Sequence, residues 1–262
     1  MKKTQDLLRR AGAAALALTM TVGLCRPAFA ATKAPFSKDE TVYAVMAADG
    51  SVQKTTVSEH LYAADGLAGV EDKSTLKNIV NTESFAEYTR NGDTLVWNTD
   101  DTDVYYKGDT DRQLPISAKV TYTLDGRTAP LSELLGRSGH LVLTIDLTNN
   151  EKGTLTVDGK ERTVVTPLVT AVGVVLGGDA RNVNAVNGLL ESAAKSSVAA
   201  FVALPGVRAS LDGLLPQQVD GVTRYLQDSV TVEADVEELT APQILLACAA
   251  TAEALGQGDE VF

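Results

Sequence analysis

Apolar residues occupy every second position in three stretches of this chain, and no other feature constrains its fold as strongly. The stretches are AKVTYTLD (118–125), HLVLTIDL (140–147) and VTVEADVE (230–237). Successive side chains of a β-strand point to opposite faces, so each stretch predicts a strand with one buried and one solvated face. Such alternation is typical of antiparallel sheets. The predicted inward residues are Ala118, Val120, Tyr122, Leu124, Leu141, Leu143, Ile145, Leu147, Val230, Val232, Ala234 and Val236.

Asp-Gly pairs mark the turns between predicted strands. They occur at 49–50, 125–126 and 158–159, and both residue types tolerate the positive φ that two-residue hairpin turns require. The predicted fold class is therefore mainly β, with antiparallel sheets arranged as two β-sandwich-like domains and a few short helices. Further strands are predicted at 94–98, 103–107, 169–175 and 198–204.

Helical signals are sparse. Leu131, Leu134 and Leu135 have the i, i+3, i+4 spacing of a helix that buries one side, with Pro130 in its first turn and Gly136 just past its end. Another turn of helix is predicted near 74–80. The segment 240–262 is compatible with either a final strand or a helix.

The first thirty residues have the features of a secretory signal peptide. A basic start is followed by an apolar run at 11–24 and by Ala28-Phe29-Ala30, which predicts cleavage after Ala30. The alternative, a membrane anchor, needs roughly 20 apolar residues, more than this run supplies. The predicted organisation is 1–30 signal peptide, 38–150 N-terminal β domain, 151–240 second β domain and 241–262 C-terminal tail, with LTNNEKGT (147–154) as the boundary.

The charge of the chain argues against two classes of partner. The full sequence carries a net charge of −11, and removal of the basic leader brings this to about −15. Such a charge repels nucleic acid phosphates and anionic lipids. We therefore expect a protein that binds no nucleic acid. The leader sequence separately predicts that it is secreted or extracellular, with no membrane span in the mature chain.

The mature chain keeps one cysteine, Cys248, within an apolar run, which favours a buried and unreactive thiol over a nucleophile. The two histidines, His60 and His140, belong to no zinc motif, and no phosphate-binding loop is present. The single tryptophan, Trp97, is too little for the aromatic platform of a sugar cleft and is predicted to lie in the core.

The pentapeptide GRSGH (136–140) is close to the nucleophile elbow G-x-S-x-G of serine hydrolases. Its second glycine comes one position early, and Ser138 follows a predicted helix and precedes a strand, the reverse of the elbow. His140 is too close in sequence for the usual general base. The favoured interpretation is a structural turn in which Gly136 ends the helix and Gly139 permits the turn, so no catalytic residue and no cofactor is assigned.

The acidic loop NTDDTDVYYKGDTD (98–111) is a weak candidate for Ca²⁺, which binds six to eight oxygens. The EF-hand spacing is absent, and a solvated loop on an acidic protein is the alternative interpretation. The candidate ligands are Asp100, Asp101, Asp103, Asp109 and Asp111.

The segment KVTYTLDGRTAPLSELLGRSGHLVLTIDLTNN (119–150) resembles a recurrent segment of uncharacterised exported cell-envelope proteins of Gram-positive bacteria. Pieces at 166–188, 202–211 and 230–239 are similar to the same family in the same order. The resemblance implies N-terminal β domains outside the membrane, and the family often continues into a helical region and a membrane anchor. This chain ends without one. The resemblance therefore implies a cell-envelope-associated protein that is secreted, held by a partner, or a shortened relative. The implied partner is an envelope protein or a membrane-anchored protein. The resemblance supplies no catalytic residues.

These observations favour a non-catalytic exported β module, acting in the cell envelope or outside the cell through interaction or scaffolding. The alternative is a secreted hydrolase built around Ser138 or a pair of acidic residues.

Overall fold

The structure is a computed structural model that describes residues 18–21, 36–157, 159–193, 195–212 and 223–250. Strands account for 61% of it and helices for 5%, which confirms the mainly β prediction. Most of the predicted signal peptide, its cleavage site, and residues 251–262 lie outside the described residues; within the predicted leader, Leu18–Thr21 forms a short strand. No helix among the described residues combines the length and apolarity needed to cross a membrane.

The strands, numbered along the chain, are β1 (Leu18–Thr21), β2 (Ser37–Met46), β3 (Val52–Tyr62), β4 (Glu71–Lys73), β5 (Lys77–Asn81), β6 (Tyr88–Asn91), β7 (Thr94–Trp97), β8 (Asp103–Asp109), β9 (Ile116–Leu124), β10 (Arg127–Thr128), β11 (Gly139–Asn149), β12 (Lys152–Val157), β13 (Lys160–Val165), β14 (Leu168–Gly177), β15 (Ala180–Val186), β16 (Leu189–Ala193), β17 (Ser196–Ala203), β18 (Ser229–Val236) and β19 (Gln243–Ala250). The helices are α1 (Leu131–Leu134) and α2 (Val207–Ser210), with a 3-10 turn at Thr223–Tyr225.

The chain divides into two compact units. The larger unit contains residues 46–53 and the chain from 113 onward, and the smaller unit contains 19–45 and 54–112. The segment 147–154, which the sequence suggested as a domain boundary, lies inside the larger unit. Two side-chain amides of this segment connect it to other parts of the unit. Asn149 donates to the carbonyl of Thr166, and Asn150 donates to the carbonyl of Leu114.

Two antiparallel sheets and one hairpin form the larger unit. The first sheet, sheet I, has the order β10-β9-β11-β18-β15, and the second sheet, sheet II, has the order β16-β17-β14-β19. Strands β12 and β13 form the hairpin. The three alternating stretches lie side by side in sheet I, where Leu143 faces Tyr122 on one neighbour and Val232 on the other. Contacts of β17 with β15 and β18 join the two sheets.

The period-two prediction of inward residues is confirmed along these three strands. Leu141, Leu143, Ile145 and Ala234 have no exposed surface, and all the other predicted inward residues are buried except the half-buried Ala118. Sheet II supplies Phe201, Val172, Leu246 and Cys248 to the buried set, among others. The core of the larger unit therefore lies on the inner faces of these two sheets.

Two Asp-Gly pairs, and the glycine of the third, are at hairpin turns as predicted; Asp158 lies outside the described residues. Asp125 and Gly126 have φ values of 49° and 79°, the pair of positive values that defines a type I′ turn, between β9 and β10. Gly159 has a φ of 73° between β12 and β13. Gly50 needs glycine for a second reason: a Cβ there would lie 2.3 Å from the carbonyl oxygen of Ala118.

Helix α1 confirms the predicted helix in part. Leu131 and Leu134 are buried, and Gly136 follows the helix with a φ of 74°. The predicted burial of Leu135 is wrong, because this residue is 45% exposed. The helix ends at Leu134, and the extended backbone of Leu135 turns its side chain away from the helical face.

The predicted helical turn near 74–80 is also wrong, because β5 begins at Lys77 and pairs with β8. Arg90 donates to the carbonyls of Ser74 and Leu76, which are therefore not free to accept helical hydrogen bonds. In the ambiguous C-terminal segment, the part at 243–250 is strand β19.

The smaller unit contains strands β2-β3-β8-β5 and a three-stranded sheet in the order β4-β7-β6. The predicted strands at 94–98 and 103–107 are β7 and β8. Trp97 is a core residue, as predicted, and is fully buried with its ring centroid 5.2 Å from that of Tyr106.

Candidate functional site

Ser138 lies in the connection between α1 and β11, and its contacts are structural. It is exposed, and its hydroxyl donates to the backbone carbonyl of Glu237. The hydroxyl is thus directed to a carbonyl and not to an imidazole, whereas an activated serine needs a base within hydrogen-bonding distance. Gly139 has a φ of 149°, which other residues rarely adopt, and a Cβ there would lie 2.4 Å from a carboxylate oxygen of Asp125.

His140, on the outer face of β11, binds a neighbouring strand. Its ring Nδ1 is 2.8 Å from the carboxylate of Asp235, and its backbone N–H donates to Asp125 at 2.8 Å. Donation of a hydrogen bond to Asp235 raises the pKa of the His140 imidazole. Asn182 donates to the other carboxylate oxygen of Asp235 at 2.7 Å, so this exposed pair links three strands of sheet I.

Four of the five aspartates of the calcium prediction have separate partners. Asp103 lies 2.8 Å from His60, and Asp101 accepts a hydrogen bond from Thr99. The other pairs are Asp109 with Lys54, Thr56 and Asn78, and Asp111 with Lys77. Within the described part of the chain, no three His, Cys, Asp or Glu side chains are grouped as metal ligands would be. The structure therefore does not bring the five carboxylates together at one point.

A different arrangement is found where the loop 82–87 follows β5. The side chain of Asn81 accepts hydrogen bonds from the backbone N–H groups of Glu83 and Ser84, at 3.1 and 2.9 Å. Its amide nitrogen donates to the hydroxyl of Ser84 and to the carbonyl of Ala86. This one side chain therefore holds both sides of the loop, and Phe85 at its tip is fully exposed.

Beside this loop is an open depression of about 290 Å³, lined by Glu83, Ser84, Asp101, Thr102, Asp103 and Tyr105. His60 stacks on Tyr105 with ring centroids 4.2 Å apart and planes 2° from parallel, and Asp39 is 3.7 Å from its Nδ1. Hydrogen bonds from Thr102 and His60 lower the pKa of Asp103, which favours its charged form. We call Phe85 with this depression the Phe85 surface: it joins an aromatic side chain to an acidic concavity.

A buried ionic cluster lies inside the smaller unit. The Lys38 ammonium is 2.9 Å from Asp72, 3.1 Å from Glu59 and 3.3 Å from the hydroxyl of Tyr106, which donates to Asp72. Glu59 and Asp72 are 2% and 0% exposed. Desolvation raises the pKa of the Glu59 carboxyl to about 7, against the opposing attraction of Lys38. One oxygen of Glu59 has no hydrogen-bond partner among the described residues.

Sequence reasoning missed both of these features. Glu59 had a usable signal, because it occupies an inward position between Val57 and Leu61 in the alternation of β3. Its partners Lys38 and Asp72 are distant in sequence and give no such signal. Phe85 stands alone in TESFAE (82–87), without any period that would assign it to the core or to the surface.

Comparison with known proteins gives no family. No protein-family model matches the chain. No curated protein matches it either.

Proposed function

We propose that this protein is an exported, non-catalytic β module of the cell envelope or extracellular space, and that it acts by binding another protein. The observation that carries the proposal is Phe85, a fully exposed aromatic residue on a loop held by Asn81. Aromatic residues are enriched among the residues that dominate binding energy, and a loop that is already ordered loses little entropy on association. The basic, apolar leader sequence supports export.

The chemistry of the Phe85 surface indicates the kind of partner. Glu83, Asp101 and Asp103 line the depression next to the loop. A complementary surface has an apolar pocket for the phenyl ring and lysine or arginine side chains for the carboxylates. The net charge of −11 would steer a cationic partner toward the module and speed its association. Binding should therefore weaken with added salt.

Site-specific photo-crosslinking in the producing cell tests this proposal. A photoreactive amino acid at position 85 should give one discrete adduct with an envelope or extracellular protein. The same amino acid at position 155 is the matched control, because Leu155 is a 56% exposed apolar residue of the β12–β13 hairpin. Phe85→Ala should abolish co-purification of that protein, and Leu155→Ala should not. Absence of a specific adduct at position 85 would count against the proposal.

Export and the hydrolase alternative have their own tests. N-terminal sequencing of protein recovered outside the cytoplasm should begin at Ala31; recovery only inside the cell with Met1 intact would refute export. For the hydrolase, the observed hydrogen bonds of Ser138 and His140 give no support. Esterase activity that disappears in a folded Ser138→Ala variant would reverse this conclusion.

A further inference from the structure

The face of sheet II that points away from the core is apolar. Because Ala171 faces Val202 on one neighbour and Ala247 on the other, these three side chains form one row. In the next row, Gly173 lies between Ala200 and Leu245, and Leu189 of β16 extends the row beyond Ala200. Two polar side chains, Gln243 and Glu191, lie in the row after that, at its ends. We call the outward side chains of these rows the outer apolar face.

Sheet I in the same unit provides the contrast. Its outward positions on β11 include His140, Thr144 and Asp146, and the residues that face these three on β18 are Asp235, Thr231 and Ser229. An antiparallel sheet with one solvated face normally shows this polar pattern. Sheet II breaks the pattern, because its strands VTAVGVV, VAAFVAL and ILLACAA are apolar on both faces. Strands of that composition are typical of sheets covered on both sides.

Within the described part of the chain, this face is open to solvent. Val202 is 41% exposed and Leu189 is 80% exposed. The side chains of Ala171, Ala200 and Ala247 are exposed as well. A contiguous exposed apolar surface of several hundred Å² is typical of an interaction site. Small side chains also make the face flat, so that a second sheet can approach to the usual distance of about 10 Å.

The size of the face suits a second copy of the same chain. Strand β14 pairs with β17 and with β19 over eight residues each. With strands about 4.8 Å apart and about 3.4 Å per residue, the four strands cover roughly 450 Å². Two such faces together bury roughly 900 Å², a size in the range of weak and reversible interfaces, which lie below about 1,200 Å².

We propose that two copies of this chain associate through their outer apolar faces, packed sheet against sheet around a twofold axis. A flat face of small apolar residues is complementary to itself, as a twofold interface requires. Apart from Glu191, these rows carry no charge, so the contact can bring together two chains of net charge −11 without pairing carboxylates. This inference does not depend on Phe85, which lies in the smaller unit.

Sedimentation equilibrium of the full chain over a wide concentration range tests the proposal. We expect a reversible monomer–dimer equilibrium for the wild type, and a tighter dimer with added salt, because salt screens repulsion between two acidic copies. Val202→Arg should yield a monomer. Thr144→Arg, the matched substitution on the outer face of sheet I, should leave the dimer intact. If circular dichroism shows that the Val202→Arg variant is unfolded, the Ala171→Arg variant is tested in its place.

Other results would assign the face to a different occupant. A wild type that stays monomeric at every concentration overturns the proposal. If that monomer floats with liposomes, the face binds lipid. If it binds a hydrophobic dye only after residues 251–262 are removed, the C-terminal segment of the same chain covers the face. A dimer that survives Val202→Arg, or Ala171→Arg where that variant is used instead, places the interface elsewhere and also overturns the proposal.

Discussion

Replacement of Glu59 by glutamine should stabilise the smaller unit above neutral pH. Burial raises the pKa of this carboxyl from 4.5 to about 7, so the fold favours its protonated form. The stability that protonation supplies is fully present below pH 4.5 and is lost as the pH rises through about 7. Since a tenfold change in proton affinity corresponds to about 1.4 kcal/mol, the cost of holding Glu59 ionised reaches about 3 kcal/mol.

Glutamine has the same shape and no charge to desolvate. Glu59→Gln should therefore gain about 1–3 kcal/mol over the wild type above pH 7, after allowance for its weaker hydrogen bond with Lys38. Near pH 4.5 the difference should be close to zero or reversed, since the wild-type side chain is then largely neutral as well. The gain should grow steadily between these two pH values.

Urea unfolding followed by tryptophan fluorescence measures this directly. Trp97 is the single tryptophan, is fully buried, and lies in the smaller unit with Glu59, so its emission reports the unfolding of that unit. Glu87→Gln is the control, because Glu87 is an exposed carboxylate of the same unit. A stability difference between Glu59→Gln and wild type that does not vary with pH would falsify the argument from desolvation.

Three further outcomes are expected in the larger unit. Leu134→Ala should cost about 2–5 kcal/mol in urea unfolding, because it empties a buried site, whereas Leu135→Ala should cost less than about 1 kcal/mol; equal costs would contradict the observed end of helix α1. Cys248 should react slowly with a thiol reagent in the native state and rapidly in urea, because burial raises its pKa to about 11; equal rates would show an accessible thiol. Gly50→Ala should lower the thermal midpoint far more than Gly159→Ala, because both have a positive φ but only at Gly50 would the new methyl group overlap a facing backbone carbonyl; similar shifts would leave backbone strain as the whole effect.

Local sequence patterns were enough to predict two features that depend on a single strand or turn: the face of a strand that is buried, and the position of a hairpin. The side-chain alternation of β9, β11 and β18 predicted their inward faces. The glycines of the Asp-Gly pairs, Gly50, Gly126 and Gly159, predicted three turns.

The helix prediction failed at Leu135 and near 74–80. Next to Leu135, the N–H of Gly136 donates to the carbonyl of Leu239, and near 74–80 the side chain of Arg90 and strand β8 bind the backbone. A single sequence window contains no information about such contacts.

The sequence by itself determined that this chain is a mainly β protein, because the direction of a side chain from a strand is a local property with a fixed period of two. Only the tertiary structure decided which residues meet. Lys38 and Asp72 are 34 positions apart and form an ion pair because strands from two sheets bring them together. In the same way, the strands of sheet II were apolar on both faces in the sequence, and only their pairing showed which face is in the core and which is open.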